Sequence, residues 1–289
     1  MGTERYQPTN KLRVVTAASL FDGHDAAINI MRRLIQAGGA EVIHLGHNRA
    51  VADIVATAIQ EDAHAIAVSS YQGGHNEYFR YMVDLLRENG AGHIKVFAGG
   101  GGVIVPEEIR ALEAYGVERV YSPEDGRRLG LVGMIDDLLK RSDVDILSEE
   151  APSIEALTGG SLTALSRVIS LAEASQGRPE LMPAALRAGL DNGLGSAAVP
   201  VVGITGTGGA GKSSLTDELV RRYLADFGSD RVAVLSIDPT RRRTGGALLG
   251  DRIRMNSTRS ERCFMRSLAT RQAGGELSAA IGDAIKACK

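Results

Sequence analysis

Two cysteines, Cys263 and Cys288, are all that the 289 residues contain, too few for a disulfide framework and without metal-ligand spacing. A reducing compartment is expected. No basic segment followed by an apolar one opens the chain, and no run of 18 apolar residues occurs in it. Neither a secretory leader nor a membrane-spanning helix is expected, and the cytoplasm is. Neither sign of charge dominates, since 33 basic against 35 acidic residues leave −2. No global field would draw such a chain onto nucleic acid or an anionic membrane. Internal repeats and low-complexity tracts are also missing. The remainder, 44% hydrophobic and 24% charged, is the composition of a globular protein. At roughly 100–200 residues per domain, two domains are expected.

Between residues 11 and 140, short β-rich apolar runs alternate with amphipathic ones, the pattern of βα units around a parallel sheet. Strands are expected at Leu12–Ala17, Glu41–Leu45, Ala65–Ser69, Ile94–Ala98 and Arg119–Tyr121. Helices are expected at Ala26–Gln36, Ala50–Ile59, Asn76–Glu88, Pro106–Ala114 and Leu129–Arg141. Apolar spacings of three and four, as in Ile28, Met31 and Ile35, give each helix one face for the sheet. Five such units in about 130 residues suit a flavodoxin-like, Rossmann-like α/β domain over residues 1–141. Residues 142–198 read as a linker, because acidic, Ser, Pro and Gly positions (Ser148, Glu149, Glu150, Pro152, Gly159, Gly160) frame helical runs at Leu162–Ala174 and Leu181–Ala188. A second α/β domain, residues 199–289, opens with an expected strand at Val199–Thr205, a glycine-rich turn, a helix from Lys212 and a strand at Arg231–Ile237.

The turn of this second domain carries the strongest local motif. Gly206-Thr207-Gly208-Gly209-Ala210-Gly211-Lys212-Ser213 fits GxxxxGK[ST] between an expected strand and an expected helix, which is the context the motif needs. Its glycines let backbone N–H groups converge on phosphate oxygens, and the helix start adds a favourable dipole. Lys212 would act on the terminal phosphates, Ser213 would hold Mg²⁺, and Ser214 completes the nucleotide-binding set of Gly206, Gly208, Gly209, Ala210, Gly211, Lys212 and Ser213. Asp238 ends the next strand, where open α/β sheets bind ligands. An Asp-Pro there serves a turn or a Mg²⁺ shell, and both readings stand at this point. Arg241, Arg242 and Arg243 form a basic run that is either a solvated face or a neutraliser of nucleotide charge. No [NT]KxD base-reading motif precedes Lys289. The expectation is a P-loop domain that stops short, with GTP or ATP unassigned by its own residues and hydrolysis absent from this piece alone.

In the first domain, Phe21-Asp22-Gly23-His24-Asp25 comes directly after the first strand. An imidazole on a loop at the carboxyl edge of a parallel sheet, with a carboxylate two residues earlier, suits a metal ligand with its own supporting hydrogen bond. A lone loop histidine is more often solvated or capping, and Asp25 is equally a residue favoured at a helix start, so the bland readings stand beside the sharp one. The same edge carries Ser69-Ser70-Tyr71-Gln72-Gly73-Gly74-His75 after the third strand and Gly99–Gly102 after the fourth. Four glycines in a row clear the rim of Cβ atoms, and three such loops make a wide cradle.

These residues resemble the cobalamin-binding domain of coenzyme-A mutases and related enzymes. Asp22-Gly23-His24 is similar to the start of that family's DxHxxG motif, and Ser69 with Tyr71 and the glycines Gly101 and Gly102 match its later loops. The resemblance implies His24 as the lower axial ligand of cobalt, Asp22 as its hydrogen-bond partner, and Ser69 meeting the cofactor's detached dimethylbenzimidazole tail. Three positions depart from the pattern: Ala27 stands for the motif's Gly, Tyr71 for a Leu, and Ala18 for a common Lys. The second domain, through its phosphate loop, Asp238-Pro239-Thr240 and the stretch Arg243–Arg252, resembles the G-protein chaperones that serve methylmalonyl-CoA mutase. That likeness implies GTP, with Asp238 and Asp251 near Mg²⁺.

The order of cobalamin domain, linker and G domain is similar to the fused isobutyryl-CoA mutases. The resemblance implies a cobalamin-dependent isomerase using adenosylcobalamin, isobutyryl-CoA to n-butyryl-CoA, with a GTPase chaperone gating cofactor loading. It further implies an acyl-CoA substrate bound by a downstream barrel, a homo-oligomeric (dimeric) full-length enzyme, and a chain that is the N-terminal part and inactive alone as a mutase. Two other readings stand beside it. A non-catalytic cobalamin carrier with a GTPase domain serving a separate mutase fits the same residues, and the residues encoded beyond Lys289 would discriminate. A P-loop kinase with a regulatory flavodoxin-like domain leaves Asp22, His24, Ser69 and the four glycines unexplained.

Overall fold

The computed structural model describes residues 5–148, 150–193, 199–241, 244–271 and 277–289. In chain order its elements are β1 (Arg13–Ser19), α1 (Asp25–Ala37), β2 (Glu41–Arg49), α2 (Val51–Gln60), β3 (Ala65–Ser69), α3 (His75–Glu88), β4 (Lys95–Gly99), α4 (Pro106–Tyr115), β5 (Arg119–Tyr121) and α5 (Pro123–Ser142). Then come α6 (Ile154–Thr158), α7 (Leu162–Ser175), α8 (Ala184–Asn192), α9 (Lys212–Asp226), β6 (Val232–Asp238), β7 (Ala247–Leu249), β8 (Cys263–Ala269) and α10 (Ile281–Cys288). Two units result, Met1–Ile146 with Pro239–Leu249, and Leu147–Asp238 with Gly250–Lys289. Among the described residues no helix is long and apolar enough to cross a membrane.

In the first unit all five expected strands form, parallel, in the order β5-β4-β3-β1-β2 with β7 added at the β2 edge. Every residue of β1 and β3 is buried, as befits central strands covered on both faces. The core between the sheet, α1 and α5 holds Val14, Ile35, Val42, Ala67, Phe97, Met134, Leu138 and Leu139. Because β2 lies on one side of β1 and β3 on the other, the chain reverses direction across the sheet at the β1/β3 boundary. The loops that leave the carboxyl ends of β1 and β3 therefore run to opposite sides, and such a switch point is the usual ligand site of these sheets.

α5 begins six residues before the expected Leu129. Ser122 caps it, accepting from the Asp125 N–H while the Asp125 carboxylate accepts from the Ser122 N–H, and Pro123 occupies the first turn. That start signal outweighs Gly126 and Gly130, although Gly130 at φ 65° breaks the helix internally.

The sixth strand was not expected from the sequence. β7 pairs in parallel with Glu41–Ile43, and Ala247 and Leu249 are fully buried. Gly246 makes the approach possible. A Cβ there would run into the Gln36 carbonyl oxygen and come within 2.8 Å of that of Ala40.

The second unit centres on β6 and β8, paired in parallel over seven residues. Alternation sends Val232, Val234 and Cys263 to Val220 and Leu224 of α9, and Leu235, Ile237, Phe264 and Leu268 to Ile169 of α7 and to α10. α6, α7 and α8, in the stretch read as a linker, pack their own core of Leu157, Val168, Leu171, Leu186 and Leu190 in this unit. A buried ion pair, Arg266 to Glu173 at 2.8 Å, ties α7 to β8.

One expected strand is corrected. Residues 199–205 have no ladder partner among the described residues, and Val201 and Val202 are exposed. An isolated extended segment leaves its backbone groups to water, so apolar β-rich composition alone does not make a strand. Arg242, Arg243 and Glu149 lie outside the described residues.

Candidate functional site

His24 caps α1 immediately beyond the β1 loop. Its ring Nδ1 lies 2.9 Å from Asp22 Oδ1, the same oxygen that accepts the His24 backbone N–H at 2.8 Å. Since a carboxylate oxygen only accepts, Nδ1 is the donor and the tautomer follows. Nε2 is then left with its lone pair and no partner among the described residues, on a side chain that is 75% exposed. Asp22 itself is buried, and its other oxygen accepts the Tyr71 N–H at 2.7 Å. One carboxylate thus joins the loop after β1 to the loop after β3. Below this junction the Ser19 and Ser70 hydroxyls meet at 2.9 Å.

The backbone around the histidine is strained. Phe21 and Asn48, neither a glycine, adopt φ of 63° and 54°, and the Asn48 side chain holds the Phe21 N–H at 2.9 Å. Side chains rarely adopt that region except where the surroundings over-determine it, commonly at functional sites.

Beside this loop a cavity opens between α1, the ends of β3, β4 and β5, and α5, with about 230 Å³ of space for water. A single water occupies ~30 Å³ in the liquid, so this is no packing defect. Its walls are apolar: Ile28, Ile35, Phe97, Leu131, Met134 and Leu138 among them. Ser69 and Tyr71 line it, and the Tyr71 ring leans on His24 with centroids 5.4 Å apart. The Ser69 hydroxyl is buried without a hydrogen-bond partner, which costs free energy unless a ligand supplies one. Gly100 and Gly101 form the rim. A Cβ at Gly100 would run into the Ser70 carbonyl, and one at Gly101, whose φ is +57°, would press on the Tyr71 ring at 2.9 Å. Tyr121 closes the wall, donating to Asp137 at 2.9 Å. Burial, with the Asp137 charge beside it, pushes its phenol up, so it stays a neutral donor.

In the second unit, Gly206, Gly209 and Gly211 of the phosphate loop take φ of 152°, 79° and 86°, conformations that favour glycine. Gly211 caps α9 in the left-handed region, leaving the first N–H groups of a 15-residue helix open at the loop. Lys212 Nζ bonds the loop's own carbonyls, Gly206 at 2.8 Å and Thr207 at 2.9 Å. The Ser213 hydroxyl donates to Asp251 at 2.9 Å, and Arg254 approaches the same carboxylate at 3.6 Å.

Of the residues singled out from the sequence, the structure brings together Asp22, His24 and Tyr71, and sets Tyr71, Ser69 and Gly101 around one cavity. Gly102 lies exposed beyond its lining. Gly206–Gly211 form one loop that leads into Lys212, Ser213 and Ser214 of α9, with Gly208, Ala210 and Ser214 exposed and Asp251 reaching Ser213, while Asp238 ends β6 half-buried. Sequence reasoning missed the contribution of α5, the Asn48 brace and the Ser19–Ser70 pair. Only the α5 start had a local signal, the Ser122-Pro123-Glu124-Asp125 cap. The others depend on distant loops meeting.

Comparisons with known proteins match two stretches of the chain to two families. Residues 12–126 match the B12 binding domain family, and residues 165–289 match the methylmalonyl-CoA mutase-associated GTPase MeaB family. A fused isobutyryl-CoA mutase of Cupriavidus metallidurans is 60% identical over 283 residues, covering 98% of this chain and 25% of that protein. One from Geobacillus kaustophilus is 58% identical, covering 98% and 26%. The pivalyl-CoA mutase small subunit of Xanthobacter autotrophicus is 34% identical over 147 residues, half of this chain and 97% of that subunit. The chain spans about a quarter of the length of the fused mutases it matches.

Proposed function

This chain belongs to the fused isobutyryl-CoA mutase family, and from that premise we propose that its first unit holds adenosylcobalamin through His24 and its second binds GTP with Mg²⁺. Together they serve the isomerisation of isobutyryl-CoA to n-butyryl-CoA, with the acyl-CoA bound by parts of the protein outside this chain. The observation that carries the reading is a histidine with one ring nitrogen held by a buried carboxylate and the other free, set beside an apolar cavity with an orphaned hydroxyl.

These residues fit the group. When bound, cobalamin supplies a cobalt–carbon bond that breaks homolytically, a source of radicals that no side chain offers. Asp22 fixes the tautomer and orientation of the His24 ring and raises its basicity toward a metal. Through the Tyr71 N–H the same carboxylate keeps the two loops in register. Ser69 Oγ offers a hydrogen bond to a heteroatom of a flat base inserted among Ile28, Phe97 and Leu138, and the bare rim at Gly100 and Gly101 lets that base approach the backbone. Tyr71 adds an aromatic wall against His24.

In the second unit a nucleotide's phosphates would replace the Gly206 and Thr207 carbonyls as partners of Lys212, which stabilises charge there as the transfer proceeds. The loop N–H groups, Gly206 to Ser214, would surround the phosphate oxygens. Ser213 would turn its oxygen to Mg²⁺, with Asp251 and Asp238 completing the shell through water or directly.

The test reads the atom beneath cobalt. Uniformly ¹⁵N-labelled protein loaded with cobalamin and reduced to cob(II)alamin should give doublet superhyperfine splitting in its electron paramagnetic resonance spectrum, from one labelled protein nitrogen. Triplet splitting, from the cofactor's own unlabelled base, would overturn the role of His24.

A further inference from the structure

His24 stands on a loop with its side chain 75% exposed, yet a metal ligand needs its ring held in one orientation. The hydrogen bond from Nδ1 to Asp22 at 2.9 Å fixes one nitrogen. A single bond leaves the ring free to swing about that contact, so the position of Nε2 depends on what meets the ring's plane. Among the described residues the one ring that does so belongs to Tyr71, with centroids 5.4 Å apart and planes tilted by 43°. That separation lies in the range where aromatic rings attract each other.

The Tyr71 ring is itself placed from three directions. Its backbone N–H is bonded to the second oxygen of Asp22 at 2.7 Å, so the carboxylate that orients His24 also anchors its neighbour. At Gly101 a Cβ would stand 2.9 Å from Cε1 of the ring and 3.6 Å from Cδ1, so the loop after β4 backs the ring as closely as a glycine permits. Lastly, Tyr71 lines the cavity of about 230 Å³ together with Ser69, Phe97 and Leu138. A flat group seated there packs against the same residue that His24 meets, and each contact it makes removes conformational freedom from that side chain.

We propose that Tyr71 couples the filling of the cavity to the orientation of the His24 ring: a base in the cavity restrains the Tyr71 ring, and the restrained ring keeps His24 in the orientation that meets cobalt. The inference rests on the cobalamin reading above. Tyr71 touches no reacting atom. It is a positioning residue that acts through His24, and its ring rather than its hydroxyl carries the effect.

The experiment measures how firmly His24 is held at cobalt. The uniformly ¹⁵N-labelled 289-residue chain, as wild type, Tyr71→Phe and Tyr71→Leu, is loaded with cob(II)alamin and titrated with unlabelled imidazole. Electron paramagnetic resonance follows replacement of the doublet from His24 by the triplet from imidazole, and the midpoint concentration measures the effective concentration of the histidine at the metal. Loss of the aromatic contact predicts a midpoint about three- to tenfold lower in Tyr71→Leu, with Tyr71→Phe within about twofold of the wild type. Both substitutions keep the backbone N–H that bonds Asp22. A repeat with cob(II)inamide, the same corrinoid without its base, should lower the wild-type midpoint by a similar factor and leave that of Tyr71→Leu unchanged. This arm needs no substitution in the wild type, so it tests the coupling even where Tyr71→Leu does not fold. Equal midpoints for wild type and Tyr71→Leu would overturn the positioning role, and equal wild-type midpoints for the two corrinoids would overturn the coupling to the cavity. A fall in Tyr71→Phe as large as in Tyr71→Leu would overturn the role of the ring, which phenylalanine keeps. A triplet in the wild type before any imidazole is added would instead overturn the cofactor reading, because His24 would then not be the ligand.

Discussion

At the scale of single residues, the candidate site depends on a few atoms with no substitute nearby. Asp22 accepts three hydrogen bonds, two from His24 and one from Tyr71. Its removal would release ring and loop together, whereas removal of the His24 side chain takes away Nε2 and the Nδ1 bond but leaves the backbone bonds from His24 and Tyr71 to Asp22. His24→Ala should abolish protein nitrogen splitting in the cob(II)alamin spectrum and weaken cobalamin binding by about tenfold or more, with nucleotide affinity unchanged. Retained doublet splitting would refute the ligand assignment. Lys212→Ala should do the converse, weakening GTP binding by about a hundredfold, roughly 2.7 kcal/mol, measured by titration calorimetry with cobalamin binding intact. An unchanged GTP affinity would remove Lys212 from the phosphate site. Both chemistries were legible in the sequence, because DxH and GxxxxGKS crowd their atoms into short loops. Ser69's lost partner and the Gly100 approach to Ser70 were not, since each depends on a residue from another loop.

At the scale of elements, the glycine approaches and the strand edges are the places where one Cβ matters. Gly246→Val would drive a side chain into the Gln36 and Ala40 carbonyls, detaching β7 from β2 at about 1–3 kcal/mol. Hydrogen exchange should then lose protection at Leu248 and Leu249, and unaltered protection there would show that β7 docks without the close approach. The helices expected from apolar spacing formed within a residue or two, apart from α5, whose cap lay ahead of its apolar run, and the run expected at Leu181–Ala188, which forms α8 only after Pro183 and ends at Asn192. β7, β8 and α10 were not anticipated, and the strand expected at Val199–Thr205 did not form. Three-residue β7 is too short for any periodicity to reveal. It is a strand because the β2 edge is open beside it, not because of its own pattern.

At the scale of the whole chain, acid should loosen the strap that closes the first unit. Asp143, at the end of α5, gathers the Tyr6 hydroxyl, the Thr9 N–H and hydroxyl, and the Asn10 N–H and side-chain amide. Burial works to raise its carboxyl, but the hydrogen bonds from Thr9, Tyr6 and Asn10 outweigh it and hold the group down at about 2. A depressed folded value means that this stabilisation is complete above the unfolded carboxyl's range near ~3.9 and is lost as pH falls through about 2. Asp143→Ala should therefore lower stability at pH 7 by about 2 kcal/mol, and the difference from wild type should shrink between pH 4 and 2. A constant difference across that range, followed by circular dichroism in denaturant, would show that the charge is not what Asp143 contributes.

The sequence by itself determined the parallel α/β architecture of the first unit, the loops that carry the chemistry, and the phosphate loop of the second, since each is written in periodicity or spacing over a few neighbouring residues. Tertiary structure decided which of those loops meet, where the cavity lies, that β7 joins the first unit's sheet, and that α6, α7 and α8 pack a core in the second unit. Those outcomes come from non-local hydrogen bonding and burial. A strand edge or an orphaned hydroxyl exists only once residues far apart in the chain stand within about 3 Å of one another.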